Sequence, residues 1–463
     1  MELLLANCIH IKGNIKRNRM KYNILWMRRD LRLEDNAALY RALKAELPVQ
    51  PIFIFDTNIL DKLTDEKDGR VTFLHDTVTE LDQKLQGKGS SLQVYYGDPV
   101  EVMKTLSADD DLQAIYTNKD YERYAINRDE KVAKIFTAKG KEFKSYKDQV
   151  IFEYDEVTKD DGLPYTVFTP YKRKWMAKLE SRMKTPMDVS YYFKSYPTEK
   201  YFKNLKATNA TEIPTLKAMG FQRSDLDMPT KTVAQGIIKE YDKQRNFPAI
   251  EGTSRLGLHF RFGTISIREK ARKAQQLNET FLSELVWRDF YSMILQHFPH
   301  VETDSFREKY DYIEWRDSES DFKAWCEGKT GYPIVDAGMR ELNSTGHMHN
   351  RVRMIVASFL TKHLLINWRK GERYFAEKLL DYDLASNSGG WQWAAGCGTD
   401  AAPYFRVFNP YTQADKFDRH RKYIKKWVPE VDTDDYVEAI VEHKFARERC
   451  LEAYKSGLAK ADS

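Results

Sequence analysis

From Met20 onward the chain carries short apolar runs, NILWM, PVQPIFIF, LQVYYG and AIYTN. Between them lie stretches with a one-sided apolar stripe, such as NAALYRALKAE and VTFLHDTVTELDQKLQ. Strands buried on both faces of a parallel sheet read as continuous apolar runs, and crossover helices read as stripes. The alternation therefore predicts a Rossmann-like parallel α/β domain over residues 20–150. No GxGxxG follows the first strand, so no motif announces a ligand in this domain. Residues 151–220 hold Gly162-Leu163-Pro164, Pro170, Pro186, Pro197 and Pro214 with little periodicity, which predicts a long interdomain connection over the surface. Beyond it strand signals fade and helical stripes dominate, as in FLSELVWRDFYSMILQHF and RVRMIVASFLTKHLLINW. Residues 221–463 are expected to form a mostly α-helical second domain.

A chain of 463 residues is long enough for two cores. With 74 Lys+Arg against 69 Asp+Glu, the net charge of +5 neither demands nor excludes a nucleic-acid partner, so any anion-binding surface must be local. Cys8, Cys326, Cys397 and Cys450 are far apart and form no CxxC pair. They read as free thiols in a reducing compartment and leave no zinc site. No apolar run approaches the roughly 20 residues of a membrane span. Residues 1–19 begin apolar and turn basic, the reverse of a secretory signal, and read as an N-terminal extension, with organelle targeting the rival reading. All nine tryptophans apart from Trp26 and Trp175 lie in the helical part, a concentration that asks for a reason.

Four places there can carry chemistry. Glu284, Trp287, Arg288 and Tyr291 share one face of a helix, as do Asn350, Arg353 and Met354 on another. A core stripe would contain neither Glu nor Arg, so two such faces suggest a shared cleft, although a solvated ion pair beside a half-exposed Trp is the plainer reading of the first alone. In the stretch from Asp381 to Trp393, acids and an amide precede Gly389-Gly390. On a helix Trp391 and Trp393 point about 200° apart and so serve different surfaces: one can face the core and the other a ligand, although from spacing alone both being core residues is the plainer reading. Thr253, Ser254, Arg255 and Leu256 precede a helix start and can hold a phosphate or merely cap the helix. Between Arg406 and Lys426 seven cations face only Asp415 and Asp418, which suits either a phosphate backbone or an ordinary solvated face.

Taken together, GTSRLGLHFRFGTIS, ELVWRDFY, KTGYPIVDAGMRELNSTGHMHNRVRM and SNSGGWQWAAGCGTDAAPYFRVFNP resemble the FAD-binding domain of the DNA photolyase/cryptochrome family. The likeness runs in order from WMRRDLRLEDN to about Pro429 and is closest to the class I enzymes that repair cyclobutane pyrimidine dimers. The resemblance implies that Tyr241, Thr253, Ser254, Arg255 and Leu256 contact the flavin phosphate and ribityl chain. It implies an Arg353–Asp381 ion pair beside the isoalloxazine, Glu284, Arg288, Asn350 and Asp383 at the cofactor, and Asn387 facing flavin N5. Gly257 departs from the Ser of many relatives, and Phe281 and His347 stand where bacterial-type enzymes often have Trp. The lesion, flipped out of UV-damaged DNA, would lie between Trp287 and Trp393, with Glu284 and Asn350 on the pyrimidine edges, Met354 packed beside it, and Arg245 and Arg406 at the phosphates. Trp391, Trp368 and Trp315 match the family's electron-transfer chain. The implied reaction is electron donation from excited, reduced anionic FAD to the dimer, ring splitting and electron return.

The alternative is a blue-light photoreceptor cryptochrome that signals through a protein partner. Retained lesion-facing residues and the lack of a long tail after the basic helix favour repair. Asn350 and Met354 stand where (6-4) photoproduct enzymes place proton-donating histidines, which favours cyclobutane dimers. A second, antenna chromophore is a family feature whose identity the sequence does not mark. The expected setting is the cytoplasm, at the nucleoid in a bacterium, with no membrane and no obligate protein partner.

Overall fold

The computed structural model describes residues 20–183, 185 and 188–461; the reading of residues 1–19 falls outside them. Strands β1 (Tyr22–Met27), β2 (Val49–Asp56), β3 (Gln93–Gly97), β4 (Leu112–Asn118) and β5 (Glu142–Tyr146) form one parallel sheet in the order β3-β2-β1-β4-β5. Central β1 pairs with both neighbours, Asn23 opposite Val49 and Ala114. Each face is covered. Leu25, Met27, Phe53 and Phe55 pack with Leu39, Val78 and Leu81 on one side, and Ile24, Trp26, Ile52 and Ile54 with Met103, Val132 and Phe136 on the other. Three of the four apolar runs, β1, β2 and β4, are thus strands buried on both faces, while the fourth, LQVYYG, forms edge strand β3, which is only partly buried. Edge strand β5, EFKSY, is mixed in polarity and half-exposed, and so carries no run to read.

The 151–220 stretch is more than a surface connection. It holds the helix Phe168–Glu180, whose Phe168, Tyr171, Trp175 and Leu179 are buried against Leu282, Leu285, Val286 and Phe290 of the helix Glu279–His297. Its stripe is only four residues wide among Lys and Arg, which is why periodicity missed it. After β5 the described residues contain no further strand, and helices build a second large core around Trp325, Leu342, Val356, Leu360, Trp368 and Trp391. None of the described helices is long and apolar enough to cross a membrane.

β1 ends at the point where strand order reverses, the place where open α/β sheets present side chains beyond their carboxyl edge. There Arg29 leaves the sheet and reaches across to the helical body. Its guanidinium binds Asp383 at 2.7 Å, Glu122 at 2.8 Å and Asp120 at 3.1 Å. The sheet thereby fixes one wall of the cleft described next.

Candidate active site

A cavity of about 410 Å³ opens between four segments of the helical body. From the helix Glu279–His297 come Glu284, Trp287, Arg288 and Tyr291, and from Asn350–Ser358 come Asn350, Arg353, Met354 and Ala357. Asp381, Tyr382 and Asp383, with Ser386, Asn387, Gly390, Trp391 and Trp393 of the helix Leu384–Ala395, form the third wall, and Arg245 the rim. The two mixed polar faces therefore do meet in one cleft. Spacing on separate helices was the only signal, and it was sufficient because each face mixes charges with large apolar groups.

The expectation that Trp391 and Trp393 serve different surfaces is corrected. Both rings touch the cavity, because it wraps about 160° of the Leu384–Ala395 helix, from Trp393 through Ser386 and Gly390 to Asn387 and Trp391. They still differ in setting. Trp391 is 2 % exposed, packed edge-on against Phe375 (4.9 Å) and Trp325 (6.0 Å), and its buried indole N–H has no partner among the described residues; Trp393 is half-buried. Trp287 has one face stacked on Phe168, centroids 3.6 Å apart and planes 7° from parallel. Trp368 is buried one turn before Gly371, against which the Trp391 ring lies, and Trp315 is half-buried beside Tyr454 at 5.9 Å. The sequence reading passed over Trp325, the tryptophan in ring contact with Trp391.

The charged groups are tightly paired. Arg353 holds Asp381 at 2.9 Å and Arg245 pairs with Glu284. Burial pushes the Glu284 carboxyl above the ordinary range, and Arg245 pulls it part of the way back. Against the same push, Arg29, Arg288 and Arg261 hold Asp383 well below the carboxylate range, so it stays an anion. Asp383 also caps its helix by accepting from the Ser386 N–H. Arg288 donates to the Gln149 carbonyl and, among the described residues, has no carboxylate within ion-pair distance; burial lowers its pKa. Asn387 donates to the Glu372 carboxylate (2.8 Å) and main-chain carbonyl (3.1 Å), a partner that no local pattern announces.

Asp381 also lines a second cavity, about 310 Å³, with Arg255, His347, Asp227 and Ser344. Arg255 is exposed, with φ of +51°. Thr253 and Ser254 precede it half-buried, and Leu256 turns into the core. Tyr241 lies beside the first cavity, edge-on to Phe281 at 5.1 Å and under Arg245 at 5.3 Å; burial raises its hydroxyl to about 12. Gly257 has a local reason. A Cβ there would stand 2.6 Å from a carboxylate oxygen of Asp381, so the serine of relatives has no room. Two cavities joined at one carboxylate, the first with aromatic walls, fixed charges and an indole N–H without a partner among the described residues, fit an elongated ligand with an aromatic end, and in the second Arg255, beside Asp225, Asp227 and Asp381, is the cation that a phosphate linker would meet. FAD is such a ligand.

Arg406 is exposed on the loop before the helix Pro410–Phe417. Missed in the sequence, Arg351 joins it and Arg245 at the rim. Burial, with the nearby positive charges of Arg245 and Arg406, depresses its pKa, and its guanidinium lies 3.6 Å from the Met354 sulfur. In the basic stretch beyond, Arg421 and Lys425 are both spent on Asp432, while Lys416, Arg419, Lys422 and Lys426 are exposed.

Two family models match the chain: DNA photolyase over residues 23–189 and the FAD binding domain of DNA photolyase over 281–434. Curated relatives include deoxyribodipyrimidine photo-lyases of a Synechococcus species and of Halobacterium salinarum. Each is 38 % identical over 88 % of this chain, with 88 % and 89 % of the relative covered. Among solved structures, an archaeal photolyase from Sulfolobus tokodaii with two FAD molecules is 36 % identical, with a TM-score of 0.78 over 94 % of this chain and 99 % of that one. A Synechocystis cryptochrome, at 24 % identity and a TM-score of 0.79 over 94 % and 99 %, shares the fold.

Proposed function

The chain belongs to the DNA photolyase family, and from that premise we propose that its larger cavity takes in a flipped-out cyclobutane pyrimidine dimer, held by Trp287, Trp393, Glu284, Asn350 and Met354. Its activity is that of a deoxyribodipyrimidine photo-lyase, a DNA-repair lyase that uses FAD. When bound, reduced anionic FAD would supply the light-driven one-electron chemistry for splitting the cyclobutane ring.

The protein's own part is to hold and orient. Trp287, braced from behind by Phe168, and half-buried Trp393 offer flat faces on which unstacked bases gain about 1–3 kcal/mol each. Glu284, paired with Arg245, offers its carboxylate oxygens to a pyrimidine N–H, and the Asn350 amide can donate and accept. On the flavin side the fitting holders are Arg288, the Arg353–Asp381 pair, Asp383 and Asn387, with Arg255, Thr253, Ser254, Leu256 and Tyr241 along the linker. Trp391, buried at the cavity wall, starts a relay through Trp368 to half-buried Trp315. Arg245, Arg351 and Arg406 crowd together at the rim, a density of like charge that a DNA backbone would neutralise.

The observation that carries this reading is the convergence of Glu284, Trp287, Asn350, Met354 and Trp393 on one space beneath an arginine rim. Cyclobutane dimers are favoured because neither Asn350 nor Met354 can give up a proton. The adjacent His349 is buried, its pKa held down to about 4 by desolvation, and its ring accepts from the Arg351 N–H as a helix cap. The free thiols Cys326, Cys397 and Cys450 suit a reducing, DNA-containing compartment such as the cytoplasm. A second, light-harvesting chromophore belongs to the reading on the strength of the Sulfolobus relative.

Blue-light repair of a defined thymine dimer in duplex DNA is the test, with dark and Glu284→Ala controls. Light-dependent repair, slowed at least about tenfold in the variant, is expected. Clearance of (6-4) lesions alone, or no repair by holoenzyme with photoreducible FAD, would overturn it.

A further inference from the structure

Lys362 is the only lysine in the core among the described residues, 1 % exposed. A buried ammonium costs several kcal/mol unless its donors are satisfied. Its donors go to two main-chain carbonyls, Tyr404 at 3.1 Å and Arg406 at 3.4 Å. No carboxylate contributes to its charge balance. The Tyr454 ring lies 5.8 Å away and the remaining electrostatic neighbours are Cys450, Cys397 and Arg406. Burial lowers its pKa to about 8, which leaves it mostly charged at neutral pH.

An apolar side chain of the same volume would stabilise the core more cheaply. What the lysine supplies is a fixed conformation for an irregular segment. The loop between the helices Leu384–Ala395 and Pro410–Phe417 has no ladder or helix of its own. Between the two clamped carbonyls it turns outward Phe405, 61 % exposed, and then exposed Arg406. Lys362 sits in the π-helical turn Phe359–His363, which directly continues the helix bearing Asn350, Arg353 and Met354. Such turns place a side chain where a regular helix would not. One rigid element thus lines the cavity and, through a single buried cation, holds the rim loop.

We propose that Lys362 is a positioning residue for DNA binding, clamping the 404–406 backbone so that Arg406 and Phe405 project at the mouth of the lesion cavity. The inference rests on the reading of Arg406 as a phosphate contact.

The test is a double-mutant cycle on holoenzyme, reading the Kd for dimer-containing duplex and, separately, the repair yield per absorbed photon at saturating DNA. Arg406→Ala in the native background is expected to weaken binding about tenfold, and Lys362→Met by a similar factor with repair yield and FAD photoreduction unchanged. In the Lys362→Met background, Arg406→Ala should then cost less than about twofold, because the arginine is no longer presented. Lys362→Met should also speed proteolytic cleavage in the 402–407 loop. If the Met variant folds poorly, Lys362→Gln carries the same cycle. Additive losses, or unchanged affinity on replacing Lys362, overturn the clamp; no loss from Arg406→Ala in the native background overturns the phosphate reading and the clamp with it.

Discussion

At position 257 the absence of a side chain makes room for a charge. Gly257 leaves Asp381 the space to meet Arg353 at 2.9 Å, and any Cβ there would lie within 2.7 Å of both the Asp381 carboxylate and its Cβ. Gly257→Ser is therefore expected to push Asp381 off its partner and weaken FAD retention about tenfold, the loss of one charge-assisted hydrogen bond. The flavin-to-protein absorbance ratio after dialysis checks this, and an undiminished ratio would mean that Asp381 can give way. Trp391 makes a sharper case. It is buried at the cavity wall against Trp325 and Phe375, so Trp391→Phe keeps the packing and removes the readily oxidised indole. Light-driven reduction of oxidised FAD by an external thiol should fall at least about tenfold, while enzyme reduced beforehand by dithionite should repair dimers at the native rate. Equal loss of both activities would count against the relay.

The helix Glu279–His297 shows how one element serves two masters. Glu284, Trp287, Arg288 and Tyr291 line the cavity, while Asp289, one residue on, turns the other way and is 1 % exposed. Asp289 accepts from the N–H groups of Ile151 (3.1 Å) and Phe152 (3.2 Å) and from the Trp175 indole (3.0 Å). It staples the segment after β5, and the helix Phe168–Glu180 that braces Trp287, to the cavity wall. Burial raises this carboxyl to about 6 despite its three donors. The folded state thus holds a proton that the unfolded chain has lost between about pH 4 and 6. Stability from this group is full below pH 4 and falls as pH rises through that window, by up to about 3 kcal/mol. Asp289→Asn should flatten that part of the stability–pH curve in urea unfolding, and a curve parallel to the native one would refute the assignment. The apolar stripe told that this helix has a buried side; which polar residue would be sealed inside it was a matter of the neighbouring helix.

Across the whole molecule, the sheet and the flavin region are joined by buried charges. Arg29, at the carboxyl end of β1, binds Asp120 and Glu122 beside β4 and Asp383 at the cavity, and Arg261 adds a further contact to Glu122. Against the push of burial, Arg29 and Arg28 bring Asp120 down to about 2. Its stabilising contribution is full above about pH 4 and is lost as pH falls toward 2. Arg29→Gln would strand these carboxylates, with an expected loss of about 3 to 5 kcal/mol. FAD should leave at lower urea than the sheet melts, since Asp383 loses its nearest cation. Coincident flavin release and unfolding at the native midpoint would show that the network does not join the two parts.

Local chemistry determined much of this protein. Short apolar runs alternating with one-sided stripes marked the strands of the sheet, three-to-four spacing puts Glu284 with Arg288 and Asn350 with Met354 whatever surrounds them, and the ordered motifs carried the family. These are properties of neighbours along the chain. The tertiary structure decided what depends on groups far apart in sequence: that the cavity wraps far enough round one helix to touch both Trp391 and Trp393, that Trp325 meets Trp391, that Glu372 holds Asn387, that Arg29 reaches Asp383 across 354 residues, and that a buried Lys362 grips the loop of Arg406. A hydrogen bond or ion pair is satisfied by whichever group the fold delivers within about 3 Å, and no pattern confined to one element records which group that will be.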